Sequence, residues 1–302
     1  MQQEQQSSGI ALGRTAHRKR RNPWLNFGIR LFREKPLAAI GFVVVAVLLI
    51  TAIFANFIAP YDYREQVLSD SLLSPSFSHL MGTDQLGRDV FSRIVMGAQV
   101  SLVVAFSCVV GFLVIAIVLG MGTGYLGGKV DMIVQRFVDG WMTIPTLIIL
   151  LAMVSIVGQG LWQIIIVLAV DRGISTSRVL RGESLSLKEA PYVEAARAIG
   201  SGQMRIFLVH IVPNAFAPII IMATISLGVF ILAEASLSFL GYGVPPPFPT
   251  WGSMLSGSGL SYMQRAPWMA IWPGVALSVA VWSFNMLGDG MRDLLDPRLR
   301  GG

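Results

Sequence analysis

Long apolar stretches without any charged residue divide the chain. A bilayer core about 30 Å thick is crossed by roughly 20 apolar residues in a helix that rises about 1.5 Å per residue. The block 140–170 is too long for one span, and the glycines of GQG at 158–160 predict a tight turn that divides it. Six membrane-spanning helices are therefore predicted, from 37–59, 94–128 (a helix near 99–121), 140–170 as two helices, 216–236 and 266–288.

The composition supports an all-α integral membrane protein. Charged residues make up 13% of the chain and hydrophobic residues 54%, whereas soluble domains carry about 25% charged residues. The net charge of +6 is scattered over short loops, so we expect no nucleic-acid partner. The one cysteine, Cys108, lies in an apolar run and the three histidines are far apart in sequence, so no metal site is expected.

The distribution of Lys and Arg predicts the orientation. If the N-terminus is inside, 19 of the 23 Lys and Arg residues fall on the inner segments 1–36, 122–140, 171–214 and 289–302. Only four fall on the outer segments. The positive-inside rule then places both termini in the cytoplasm.

The N-terminal region is predicted to have two parts. Residues 1–21 form a basic cytoplasmic tail, and 22–36 form an amphipathic helix lying in the membrane plane, with Asn22 as its cap. The alternative is a basic disordered tail that runs directly into the first span. A membrane domain over 37–290 and a cytoplasmic tail over 291–302 complete the division.

A polar, glycine-punctuated segment, YVEAARAIGSGQMRIFLVHIVPNA at 192–215, separates two apolar runs. In a helix, Tyr192, Ala195, Ala196 and Ile199 would share one face, and Gly200 suits the left-handed position after the last turn. Such a short helix fits either a partner's cleft or an ordinary loop.

This segment resembles the EAA loop of ABC-importer permeases, through EAARAIG at 194–200 and Pro213. His210 and Val212 depart from that family's pattern. The sequences MGTDQLGRDVFSRIVMGAQVSL, AEASLSFLGYGVPPPFPTWGSML and FNMLGDGMRDLLDPRLRG are similar to the dipeptide, oligopeptide and nickel importers, and in particular to their C-type permease. The resemblance as a whole covers essentially residues 30 to 300, and these motifs occur in the family's order.

The resemblance implies a six-span type I ABC importer permease of the bacterial cytoplasmic (inner) membrane. It would form half of a heterodimeric pore with a second permease, and work with two ABC ATPase subunits and an extracytoplasmic solute-binding protein. The chain itself would be no enzyme and hold no cofactor, with ATP and Mg bound by the ATPases. Short peptides are the expected cargo. The coupling loop would be 181–213, with its ATPase contacts at Tyr192, Glu194, Ala195, Ala196, Arg197, Gly200 and Pro213.

Two outer segments carry further candidates. In GTDQLGRD, Thr83 or Asp84 could cap the following helix, while Asp84, Arg88 and Asp89 could instead dock a binding protein. Trp251, after a proline-rich run, could anchor at the membrane interface or cover the mouth of the pathway. Glu234, at the outer end of the fifth span, could reach water or a partner chain.

Asp171 and Arg172 occur where the resembling family usually has an aromatic, less charged stretch. If the fourth span starts at Leu161, Asp171 lies about 15 Å along it, near mid-membrane. Acids and bases at that depth normally face a bundle interior or an aqueous path, or else the helix is displaced so that they reach the inner surface. A midplane acid also keeps open an ion-coupled secondary transporter that needs no ATPase.

Overall fold

The computed structural model describes residues 23–295, except for the side chains of 23–27, 258 and 260. The regular secondary structure in this range is helical, apart from one isolated antiparallel bridge between Thr83 and Asp89. The predicted tail 1–21, the cap Asn22 and residues 296–302 of the C-terminal tail lie outside the described residues.

The first two helices are separated by one residue. Helix α1 is Pro23–Glu34 and helix α2 is Pro36–Ile53. Proline at the start of α2 interrupts the helix because it has no N–H to bond to the preceding turn. Lys35, at the break, contacts Asp293 near the other end of the chain at 2.5 Å. The helix predicted over 22–36 is thus present, and its place in the membrane plane stays a prediction.

The central part of the chain forms four helices. Helix α3 is Val90–Ala116 and continues through a π-helical turn, Ile117–Gly122, and Thr123–Leu126. Helix α4 is Gly128–Met142, α5 is Thr146–Val157 and α6 is Leu161–Lys188. The predicted turn at 158–160 is confirmed, with positive φ at Gly158 and Gly160.

One predicted span differs from the structure. The stretch 140–157 is not one helix, since α4 and α5 meet at 97°. Pro145 explains the break, because it disfavours helical backbone at Ile144 and directly precedes α5. Helix α5 alone has 12 residues and would be about 18 Å long, too short to cross a bilayer.

The last part contains the loop helix and two long helices. Helix α7 is Pro191–Ala198. The chain then runs through Gln203–Ile206, the π-helical Phe207–Ile211 and the 3-10 turn Pro213–Ala215 into α8, Phe216–Phe239. Helix α9 is Trp251–Leu255 and α10 is Trp268–Leu295.

By length and composition, four described helices can cross a membrane, and the bent α4–α5 pair would make five. The four are Pro36–Ile53, Val90–Leu126, Gln203–Phe239 and Trp268–Leu295. Helix α6 is long enough at 28 residues, but Asp171, Arg172 and Arg178 interrupt its apolar half. The chain is therefore a multi-span membrane protein, and the sixth span depends on α6.

The core lies between α6 and α3, which pack along most of their length. Glycines allow their backbones to approach: a Cβ added at Gly120 would lie 2.2 Å from the carbonyl oxygen of Ser177. At Gly124 it would lie 3.0 Å from Arg181. Helix α10 packs in the same way against α8 and α2. These two groups of helices are joined by the contact of α8 with α3.

Candidate functional site

The polar segment folds as predicted at its turn. Pro191 occupies the first helical position of α7, and Gly200 has φ of +81°. The N–H of Gly200 donates to the carbonyl of Arg197 at 2.9 Å, and the N–H of Ser201 donates to that of Ala196 at 3.0 Å. This pair of bonds is the Schellman arrangement that ends a helix at a left-handed residue.

Of the four residues predicted to share one face of α7, three are exposed and Ala196 is buried. Val193 is fully buried and Ala196 is 5% exposed, and both join the main core. Tyr192, Ala195 and Ile199 are exposed, with Ile199 at 82%. The helix has only 8 residues, so one pair of residues three positions apart can pack against the core. That pair is Val193 and Ala196, and the sequence pattern did not single out Val193.

The outward face of α7 leaves its charges free. Glu194 and Arg197 are exposed, and their side chains form no hydrogen bond or ion pair with another described residue. Beyond Gly200 the chain returns to α8 through the π-helical turn that contains His210, and exposed Pro213 opens the following 3-10 turn. Because this path is helical almost throughout, a displacement of α7 would be passed to α8.

Asp171 is buried inside the chain, at 6% exposed. Its Oδ1 accepts a hydrogen bond from Nε1 of Trp141, at the end of α4, at 3.0 Å. Asp171 therefore faces the interior of the helix bundle, and its depth in the membrane stays a prediction. Trp141 was not identified from the sequence, because nothing in the spacing of the two residues links α4 to α6.

Arg172 is half-buried and differs from its neighbour. Its Nε is buried and has no hydrogen-bond partner among the described residues. Further along α6, Arg181 forms two contacts of 2.6 Å with Asp131, and Arg178 pairs with Asp139. These two pairs hold α4 against α6.

Trp251 lies in the core of the described chain, so its ring is not exposed to lipid as an interface anchor. Its position at the mouth of the pathway stays a prediction. It is 1% exposed, and its Nε1 donates to the carbonyl of Ile94 at 3.1 Å. Gly97 leaves the space for its ring, since an added Cβ there would lie 3.2 Å from it. The ring of Trp251 thus packs the end of the proline-rich segment against α3.

Glu234 does not reach water, because only 1% of it is exposed. Its Oε1 accepts a hydrogen bond from the hydroxyl of Ser238 at 2.6 Å, and Ser238 is linked to Thr250, the cap of α9, at 3.3 Å. The other oxygen, Oε2, is buried and makes no hydrogen bond with a described residue. Within the described chain Glu234 thus braces the loop that contains Thr250, and a role in the pathway or at the subunit interface stays a prediction.

The three predicted docking residues belong to a local network. Asp84 accepts hydrogen bonds from the N–H groups of Leu86 and Arg88 through Oδ1, at 2.8 and 3.0 Å. Its Oδ2 pairs with Arg88 Nε at 2.6 Å and lies 3.8 Å from Arg93. The carboxylate of Asp84 is therefore fully used inside the loop.

Asp89 caps α3, a role that the sequence assigned to Thr83 or Asp84. Its Oδ2 accepts from both the N–H and the hydroxyl of Ser92, each at 2.8 Å, and its Oδ1 lies 2.9 Å from His79 Nδ1. Asp89 is the cap because it directly precedes Val90, the first residue of α3, whereas Thr83 and Asp84 lie in the loop before it. A cavity of about 250 Å³ opens beside this network, lined by Asp84, Arg88, Arg93, the prolines 245–247 and Ser253.

The described residues hold no group of three or more His, Cys, Asp or Glu side chains that could bind a metal ion. The arrangement thus offers a helical loop with free charges, buried polar residues between helices, and a braced opposite surface. This combination suits a membrane protein that moves against a partner.

Comparison with known proteins agrees with this arrangement. Residues 116–301 match the family described as binding-protein-dependent transport system inner membrane component, and residues 22–75 match the N-terminal transmembrane domain of oligopeptide transport permease C. The chain therefore belongs to this family and is a permease subunit of an inner-membrane, binding-protein-dependent transporter.

Full-length relatives narrow the subfamily. The chain is 39% identical to the dipeptide transport system permease protein DppC of Alkalihalophilus pseudofirmus, over 92% of this chain and 91% of the relative. It is 39% identical to the glutathione transport system permease protein GsiD of Escherichia coli, over 93% and 92%. It is 36% identical to the oligopeptide transport system permease protein OppC of Bacillus subtilis, over 89% and 88%. The resemblance to the C-type permeases is confirmed.

Proposed function

We propose that this chain forms half of a heterodimeric pore and is driven by ATP hydrolysis in two separate ABC ATPase subunits. The observation that carries the proposal is the structure of α7. Its core face is fixed by Val193 and Ala196, while Glu194 and Arg197 are exposed without partners in the described chain. A helix that is anchored on one side and free on the other transmits the movement of whatever binds it.

In this proposal the ATPases bind α7 from the cytoplasm, with Tyr192, Glu194, Ala195, Arg197 and Ile199 at the contact. Ala196 contributes by anchoring the helix, since it is buried. Gly200 and Pro213 set the direction in which the chain returns to α8. ATP and Mg would be bound by the ATPases, and this chain would need no cofactor.

We further propose six spans with both termini in the cytoplasm, α6 being the sixth. A partly charged helix can cross the bilayer where its polar residues face other helices or an aqueous path. The burial of Asp171 and its bond to Trp141 support this arrangement.

The outer network of Asp84, Arg88 and Asp89 would then face the solute-binding protein. Its residues are internally paired, so we assign docking to the surface beside the cavity and not to free charges of the network. Short peptides are the proposed cargo, because the relatives are permeases for dipeptides, oligopeptides and glutathione. Membership of this family supports an ATP-driven importer over an ion-coupled transporter.

Co-purification and uptake test the proposal. The tagged chain should bring down a second permease and an ATP-hydrolysing subunit from its native membrane. The reconstituted complex should import a short peptide only with ATP and the binding protein. Uptake that follows an ion gradient without ATP would contradict it.

A further inference from the structure

Arg172 is a cation without an acceptor in the described chain. It lies about 16 Å beyond Leu161 along α6, at about 1.5 Å per residue. Its buried Nε has no hydrogen bond, and no carboxylate of a described residue lies within 4.0 Å of its guanidinium. The other two arginines of α6, Arg178 and Arg181, both pair with acids of α4. Arg172 therefore differs from them in lacking a structural partner.

The neighbouring acid does not serve as that partner. Adjacent residues of a helix point about 100° apart, so Asp171 and Arg172 diverge. Asp171 is turned toward α4, where it accepts the hydrogen bond from Trp141. The guanidinium consequently lies on a different side of α6, where it is partly buried and unpaired among the described residues.

Two hydroxyls continue the same side of the helix. Ser175 and Thr176 follow Arg172 by three and four residues, so they lie one turn further on the same face. Hydroxyls in apolar helices usually bond to the carbonyl four residues earlier, as Thr224 and Ser236 do in α8, at 2.9 and 2.8 Å. Ser175 and Thr176 make no hydrogen bond with a described residue. Thr176 is 5% exposed and lies inside the chain, whereas Arg172 and Ser175 are only partly buried. We call Arg172 and Ser175 the donor stripe.

The depth of the donor stripe restricts what can satisfy it. Lipid tails offer no acceptor, and lipid phosphates lie about 15 Å from the middle of a bilayer core that is about 30 Å thick. An uncompensated charge at that depth is costly, so residues of this kind face the bundle interior or an aqueous path. The acceptor must therefore come from the second permease or from a molecule that enters the membrane region of the complex.

We propose that the donor stripe binds a carboxylate of the cargo during its passage. A guanidinium matches a carboxylate with two parallel hydrogen bonds, and the hydroxyl of Ser175 adds a donor on the same face. The inference rests on the proposed import of peptides, which carry a C-terminal carboxylate unless it is blocked. It makes Arg172 a residue that selects cargo inside the permease, in addition to the selection made by the binding protein.

The test compares a tripeptide that has a free C-terminal carboxylate with the same tripeptide carrying a C-terminal amide. Both are first shown to bind the solute-binding protein, and uptake is then measured in liposomes containing the complete importer. Arg172→Gln should lower uptake of the free acid about tenfold, the loss expected for a hydrogen bond to a charged group. It should leave uptake of the amide within about twofold, and Arg172→Lys should retain part of the difference.

Arg178→Gln is the matched control, because Arg178 lies on the same helix but pairs with Asp139. It should affect both peptides equally. Equal losses for both peptides in Arg172→Gln would overturn the proposal, and loss of the second permease from that complex would identify an acid of the partner as the acceptor. Unchanged uptake of both peptides would also overturn it. If the wild-type importer transports neither peptide, the proposed peptide import is itself wrong, because no residue of the donor stripe has been changed in that protein.

Discussion

Two short polar segments have similar composition and opposite structures: 82–93, predicted to lie outside, and the loop around α7, predicted to lie inside. They are called the outer segment and the inner loop. Both contain an acid, an arginine and a glycine at a sharp turn, and both adjoin a long apolar helix. In the outer segment the carboxylates of Asp84 and Asp89 are paired inside the chain. In the inner loop Glu194 and Arg197 are exposed and unpaired within the described residues.

The difference follows from how each turn is closed. The outer turn uses side chains, since Asp84 bonds to backbone N–H groups and Asp89 caps α3. The inner turn uses backbone alone, because Gly200 adopts a positive φ and the last carbonyls of α7 receive N–H groups from Gly200 and Ser201. A turn closed by backbone leaves its charged side chains for another protein, whereas a turn closed by side chains fixes its own helix.

The comparison requires the two segments to face opposite sides of the membrane. Cys108 is fully buried and can be replaced by alanine, after which single cysteines are introduced at Ser74 and Ser186, both exposed. In intact cells, an impermeant thiol reagent should label Ser74→Cys fully and Ser186→Cys not at all. Both should react after permeabilisation. Labelling of Ser186→Cys from outside would invert the topology and remove α7 from the ATPases.

Reversing the charge at the free site should produce the largest functional loss. We expect Glu194→Lys to reduce ATP-dependent uptake by more than about tenfold, since a like-charge contact costs several kcal/mol at an interface. The amount of chain in the membrane should not change, because Glu194 has no partner in the described fold. Glu189→Lys, at an exposed position just before α7, is the control and should retain uptake. Equal effects of the two variants would argue against a specific contact at Glu194.

Removing a carboxylate that is paired within the chain should lower the stability of the fold and leave transport unchanged. Asp89→Ala deletes the cap of α3 and the partner of His79, and loss of a helix cap costs about 1–2 kcal/mol. The thermal transition of the purified complex should therefore fall, while uptake per folded complex stays near normal. Glu65→Ala, an exposed acid of the same outer region, should leave the transition in place. A normal transition with lost docking of the binding protein would instead assign Asp89 to the interface.

Sequence analysis predicted the features that depend on local pattern. The apolar stretches, the break at 158–160 and the turn at Gly200 follow from hydropathy and from backbone preferences of glycine and proline. It failed at 140–157 because an apolar run contains no information on the angle at which α4 meets α5. The span count depends on α6, and hydropathy alone does not show that Asp171, Arg178 and Arg181 on this helix have partners on α4.

The sequence located the segments that make up the candidate site, but not which of their side chains are exposed. Trp251 and Glu234 look like interface and pathway residues by position, but both are 1% exposed, because the proline-rich loop folds back onto α3 and α8. The buried face of α7 was also missed, since Val193 is chosen by the core beneath it. Contacts between distant segments decide these cases, and a single sequence does not contain them.

The smallest predicted effect concerns two glycines of the inner turn that differ in backbone conformation but not in the space around them. Gly200 and Gly202 both have open space where a Cβ would be added, but only Gly200 has a positive φ. Gly202 has φ of −65° and ψ of 151°, which any residue adopts. Gly200→Ala should therefore cost about 1 kcal/mol at the end of α7, Gly200→Val more, and Gly202→Ala almost nothing. The readout is the ratio of uptake to ATP hydrolysis, which should fall in the order Gly202→Ala, Gly200→Ala, Gly200→Val while insertion stays normal. If Gly200→Val and Gly202→Ala gave the same ratio, the geometry of this turn would have no part in coupling, and the free charges of α7 would act without a fixed helix end.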